Sequence, residues 1–220
     1  MKNILLAIIL SLFAMGCASV GTVQRESLKS SSFSGAQIDL IMAADSATPM
    51  RVYTISNKED SLLLRTESEN VVAHPDDPVL RNFIKRLYAT VTDSISLGVG
   101  IAAPQVGILK NVIWVQRFDK EDSPFEVYLN PRIIQYTEKK QERAEGCLSV
   151  PNRRETLKTR SYAILLEYDQ LDKSHKFEMV EDFTAVIFQH EIDHLNGILY
   201  FDHLEDELME AEVEAKGTRK

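Results

Sequence analysis

Two histidines four residues apart stand in the run His190-Glu191-Ile192-Asp193-His194. Residues at i and i+4 share one face of a helix, so both imidazoles can reach a single metal ion. Glu191 lies beside them, placed to take a proton from a water on that metal. A second stretch, Glu145-Gly146-Cys147-Leu148-Ser149, holds a lone cysteine. A lone cysteine is commonly a small buried apolar residue. The flanking glycine and the strand-like segment would nevertheless let a thiolate and the neighbouring N–H groups face a site. A third stretch, Gly98-Val99-Gly100-Ile101-Ala102-Ala103-Pro104-Gln105, reads as a glycine-rich turn entering a strand. It does not satisfy the dinucleotide pattern, and Pro104 blocks a following helix.

The chain must bring these stretches together. Asp182–Leu195 carries the two histidines and reads as a helix, with Asp182 as its cap and Asn196-Gly197 as its stop. Leu80, Phe83, Ile84, Leu87, Val91 and Ile95 fall at helical spacing, with Pro78 in the first turn of a helix running to about Ser94. Val112–Val115, Val127–Leu129 and Ala163–Tyr168 are short apolar or β-branched runs and read as strands. Glu205–Lys220 reads as a charged, solvent-facing helix. Strands first and a buried helix late predict an α+β fold. Spacing alone leaves the third metal ligand open. A zinc protease of one class would have histidine where Tyr200 stands, and one of another class would use a downstream carboxylate such as Glu205 or Glu207. His203 has no motif to support it and reads as a surface histidine.

In order and spacing, GVGIAAPQ, EGCLS and QHEIDH (completed by Gln189) resemble the three signature motifs of the peptide deformylases. The resemblance covers residues 50–205 and implies antiparallel or mixed β-sheets around a central HExxH helix. It makes Cys147, His190 and His194 the metal ligands and Glu191 the general base. The oxyanion donors would be the Gln105 side chain and the Leu148 backbone N–H. Val99, Val186 and Ile187 match the pocket for a methionine side chain, Gly100 and Gly146 match positions along the bound peptide backbone, and Arg154 matches an arginine that contacts the peptide. The implied cofactor is one divalent ion, Fe(II), with Zn, Ni or Co able to take its place. The implied substrates are N-formylmethionyl peptides, acted on by a monomer.

The N-terminus is organised differently. Lys2 precedes the apolar run Ile4–Met15, too short to span a bilayer, and the small residues Ala14 and Gly16 lead to Cys17. This resembles a bacterial lipoprotein signal, with residues 1–16 removed and Cys17 acylated. Residues 17–49, Ser-rich at first, read as a flexible tether, residues 50–205 as the catalytic domain, and 206–220 as a charged tail. With 33 acidic against 25 basic side chains, net charge −8, the chain is no general nucleic-acid binder, and an attached lipid would have to do the anchoring. The expected location is the cell envelope. The alternatives are a cytoplasmic enzyme whose N-terminus imitates a signal, and an anchored binding protein that has lost activity.

Overall fold

The computed structural model describes residues 32–94 and 98–217; in the last helix side chains are described as far as Met209, Asp206 excepted. The stretch expected to be an export signal, Cys17 and the first half of the expected tether lie outside the described residues.

Helix α1 (Gly35–Met42) and helix α2 (Lys58–Leu64) lead to helix α3 (Pro78–Val91). Strands β1 (Gly100–Ala102), β2 (Val112–Gln116), β3 (Phe125–Tyr136), β4 (Lys140–Cys147), β5 (Val150–Ser161), β6 (Ala163–Asp169) and β7 (His175–Glu181) follow. Helices α4 (Asp182–Leu195) and α5 (Tyr200–Gly217) end the chain. The strands form two antiparallel sheets, β1-β2-β3-β6-β7 and β4-β5. This is the α+β architecture expected.

Period-two alternation explains the layering. Ile101, Val112 and Leu129 face a core with Leu80, Phe83 and Leu87 of α3. Their neighbours Ala102, Ile113 and Tyr128 face the opposite way, into a core with Phe188 and Ile192 of α4. The five-stranded sheet is thus covered by α3 on one face and α4 on the other, while α4 also touches β4 and β5 of the small sheet. The helix carrying the two histidines is therefore wedged between both sheets, and truncating its fully buried Phe188 would cost about 3–5 kcal/mol.

Four expectations are corrected. The tether expected over 17–49 ends earlier, because Ser34 and Gln37 form a reciprocal capping box that starts α1. Phe33 and Ile41 are buried, and Phe33 meets Phe83 edge-on at 5.8 Å. The buried Arg86 guanidinium donates to the carbonyls of Leu40, Ile41 and Thr48, completing the end of α1. Second, Asp182 does not cap α4. It stands at φ 54° as the first helical residue, after Glu181 at the cap position, and its carboxylate pairs with Arg143 of β4. Third, α3 stops at Val91 rather than near Ser94, and the expected Ile95 lies outside the described residues. Fourth, the last helix starts at Tyr200, whose side chain is buried, so no break separates residues 205 and 206. Asn196-Gly197 ends α4 as expected, with Gly197 at φ 72°, where a Cβ would strike the Arg65 carbonyl at 2.6 Å. Among the described residues no helix is long and apolar enough to cross a membrane.

Candidate active site

Each cluster of chemistry-bearing residues arrives on its own element. Cys147 ends β4, Gln105 sits in a 3₁₀ turn (Ala103–Val106) directly after β1, and His190, Glu191 and His194 come from the middle and end of α4. One extended segment braces two of these elements. Tyr53 N–H donates to the Gln105 carbonyl at 2.7 Å, and Ile55 N–H donates to the Ser149 carbonyl at 2.9 Å.

Cys147, His190 and His194 each offer one donor atom, and the three atoms lie within 4.8 Å of one another. Cys147 Sγ is 3.1 Å from His194 Nε2. His190 Nδ1 is taken by Glu145 Oε2 at 2.8 Å, which leaves Nε2 for the site. Burial raises the Cys147 thiol, but the positive charge available on His194 and His190 outweighs it, and the thiol is held well below its usual range. A thiolate with two imidazoles is a set that suits a divalent transition metal. Among the described residues, Glu191 Oε2 is a buried polar atom without a hydrogen-bond partner, as expected beside a site completed by an ion and its water. The residues present therefore fit a metal.

Gln105 is oriented at both ends of its amide. Its Oε1 accepts from Ala102 N–H at 2.8 Å, while its Nε2 donates to Ser149 Oγ at 3.2 Å and lies 3.6 Å from Cys147 Sγ. The amide N–H₂ group is thereby held beside the thiolate. Glu191 is 4% exposed, and burial pushes its carboxyl up to about 7 against the opposing pull of His190 and His194. Gly100 makes room for it: a Cβ there would lie 2.5 Å from Glu191 Oε1 and 2.8 Å from Ile187 Cγ2.

All of these groups except the deeply buried His194 line one cavity of about 400 Å³. Val99, Gly100, Gly146, Leu148, Arg154, Val186 and Ile187 line it too, so the metal, catalytic and substrate-binding residues nominated from the sequence lie around or beside one space, while Cys17 lies outside the described residues. Gly98, which opens the first motif, faces it as well, and so do Ala144 and Phe183, which lie outside the three motifs.

Behind the donors lies a chain of ion pairs that the sequence reading missed. Glu145 is held by Arg160 at 2.7 and 3.0 Å, Arg160 also binds Asp193 Oδ2 at 2.6 Å, and Asp193 binds His203 Nε2 at 2.8 Å. Burial works to raise the Glu145 carboxyl, yet His190 and Arg160 hold it at about 2. His203 is thus no plain surface residue but the outer end of this network. Gln189 is structural, its amide clamping the N–H and the carbonyl of Ser161 at 3.0 Å each.

Residues 50–209 match the family model described as polypeptide deformylase. The chain belongs to the peptide deformylase family. A peptide deformylase from Finegoldia magna is 33% identical over 162 residues, covering 74% of this chain and 95% of that relative. One from Desulforudis audaxviator is 40% identical over 150 residues, covering 60% of this chain and 90% of the relative. Among solved structures, the class I type b peptide deformylase from Acinetobacter baumannii bound to Met-Ala-Ser aligns with a TM-score of 0.62 and 31% identity, over 71% of this chain and 99% of that one. The three deformylase motifs are the three stretches that converge on the cavity. The family match begins at Met50, so α1 and everything before it lie outside the matched region.

Proposed function

We propose that this chain removes the N-formyl group from N-formylmethionyl peptides at the Cys147-His190-His194 site, releasing formate and a free amino terminus. The observation that carries the reading is the cluster of three metal donors at the wall of the cavity that Glu191 and Gln105 line. Family membership and the bound Met-Ala-Ser of the similar A. baumannii enzyme support the substrate class.

Cys147, His190 and His194 hold the divalent ion. When bound, it supplies Lewis-acid polarisation of the formyl carbonyl and eases deprotonation of water. Glu191 takes the proton of the attacking water on its carboxylate. A carboxyl near 7 is matched to that task at neutral pH and can return the proton to the leaving amine as the C–N bond breaks. Gln105 Nε2 and the Leu148 N–H donate to the oxygen on which negative charge grows. Val99, Val186 and Ile187 take the methionine side chain, while Gly100, Gly146 and Arg154 hold the peptide. Formate release from a formyl-Met dipeptide, compared between wild type and Glu191→Ala, is the test. Equal rates would remove this mechanism.

The location and the ion are also proposals. The signal-like run before Cys17 supports a lipid-anchored enzyme of the bacterial envelope. Labelling cells with a palmitate analogue tests it against Cys17→Ser, and an unlabelled, soluble wild type would leave the cytoplasmic reading in its place. Fe(II) with thiolate is prone to oxidation outside the cytoplasm, so the exported enzyme favours Zn. Metal analysis of protein from its native envelope decides this, and stoichiometric iron would exclude it.

A further inference from the structure

Among the described residues, β7 is the edge of the five-stranded sheet, with β6 on one side and no strand on the other. An edge strand presents a row of N–H and C=O groups ready to pair with another extended chain. Proteins usually blunt such an edge with short length, proline or outward charge. Here seven residues run as His175-Lys176-Phe177-Glu178-Met179-Val180-Glu181, without proline. Phe177 and Met179 are 60% and 54% exposed on the outer face, while Val180 on the other face is buried.

In place of the monomer expected from the sequence, we infer that β7 pairs with β7 of a second copy of this chain, antiparallel about a two-fold axis at Glu178, joining the two five-stranded sheets edge to edge. The sequence of β7 is complementary to its own reverse in that register. Phe177 falls opposite Met179 of the partner subunit, twice by symmetry, giving two thioether–aromatic contacts. His175 falls opposite the partner's Glu181, again twice. His175 bridges Asp169 and Glu167 at 2.7 and 2.8 Å, so both of its ring nitrogens are engaged within its own chain and the Phe177–Met179 pairs carry the register.

The central position would put two glutamates against each other, but Glu178 is turned away. Its carboxylate is bound by the buried Arg117 at 2.8 and 3.0 Å on the inner face. Registers centred on Phe177 or Met179 keep one like pair, Phe177 on the partner's Phe177 or Met179 on the partner's Met179, but lose both Phe177–Met179 pairs. Two seven-residue strands make a small interface, so the dimer is weak and concentration-dependent. No residue lining the catalytic cavity belongs to β7, so both sites of the dimer stay open.

Sedimentation velocity on the full chain over a wide concentration range tests this with four proteins: wild type, Phe177→Lys, Met179→Glu and the double variant. The wild type is expected to sediment faster as concentration rises, and each single variant to weaken association by about tenfold, because each lost pair recurs twice. The double variant should regain association, since the introduced lysine of each copy would then face the introduced glutamate of the other. Wild type that stays monomeric throughout overturns the proposal, as do single variants that associate like wild type. A double variant as monomeric as the singles overturns the register. Formate release should be equal in all four, which establishes that each variant is folded.

Discussion

Two arginines with fully buried side chains, Arg160 and Arg117, are each surrounded by carboxylates, and they do different work. Arg160 is 4% exposed and its partner Glu145 5%; the pair leads directly to His190 Nδ1. Arg117 is 1% exposed, but Asp119, Glu126 and Glu178 around it are 26–34% exposed, and the cluster ends on the Tyr128 hydroxyl at 2.6 Å. The same ion chemistry therefore orients a candidate metal ligand in one place and ties strands of a sheet together in the other. What distinguishes them is depth and what stands at the end of the chain of bonds.

The largest expected effect comes from a carboxylate in the same buried region that neither arginine holds. Glu191→Ala should lower turnover by about 10²–10⁴-fold while leaving the melting temperature near wild type or above it, read by formate release and calorimetry. Removing Arg160 should act on two readouts at once. Arg160→Met leaves Glu145 with only His190 and Asp193 with only His203, at about 3 kcal/mol of stability, and should weaken metal retention about 10–100-fold through the loosened His190. Arg117→Met supplies the contrast. Its carboxylates reach solvent, so the loss should be about 1–3 kcal/mol, with metal content and kcat unchanged. If Arg117→Met strips the metal as readily as Arg160→Met, the distinction between the two clusters fails.

The smallest effect belongs to the exposed cluster around His175. Its pKa is raised by hydrogen bonds to Asp169 and Glu167. A raised folded-state value means that the contribution is fully present below the unfolded value, about 6.5, and is lost as pH rises through the folded value. The melting-temperature difference between wild type and His175→Asn should therefore shrink as pH rises from about 6 into the alkaline range. A difference that grows with pH would contradict the assignment.

The sequence made the catalytic half of the molecule legible because its signals are local. The i,i+4 histidines, the Gly197 stop and the apolar runs of β2, β3 and β6 each follow from spacing within a few residues. The β4–β5 pair was not legible. Lys140–Cys147 and Val150–Ser161 are mostly charged or polar, so period-two alternation is lost even though β5 carries the buried Arg160. The Glu145–Arg160–Asp193–His203 network joins residues from four elements, and no spacing rule connects them. Asp182 looked like a cap from its type alone. Its positive φ follows from tertiary ties, the Arg143 ion pair and the Gln141 side-chain amide on its carbonyl at 3.0 Å. α1 was hidden by the serines before it, because a Ser-rich run signals a linker until a capping box and a buried phenylalanine follow.

That docked α1 also sets a range of action. Arg86 and Phe83 fasten residues 33–41 to α3, so on the lipid-anchored reading only residues 18–32 separate the body of the enzyme from the acylated cysteine. A chain of that length reaches at most roughly 50 Å, at about 3.3–3.6 Å per residue. The catalytic body would then sweep a thin shell next to one membrane face rather than the whole compartment. Its substrates would be those formylated peptides that pass within this shell, and lengthening the leash would widen the choice.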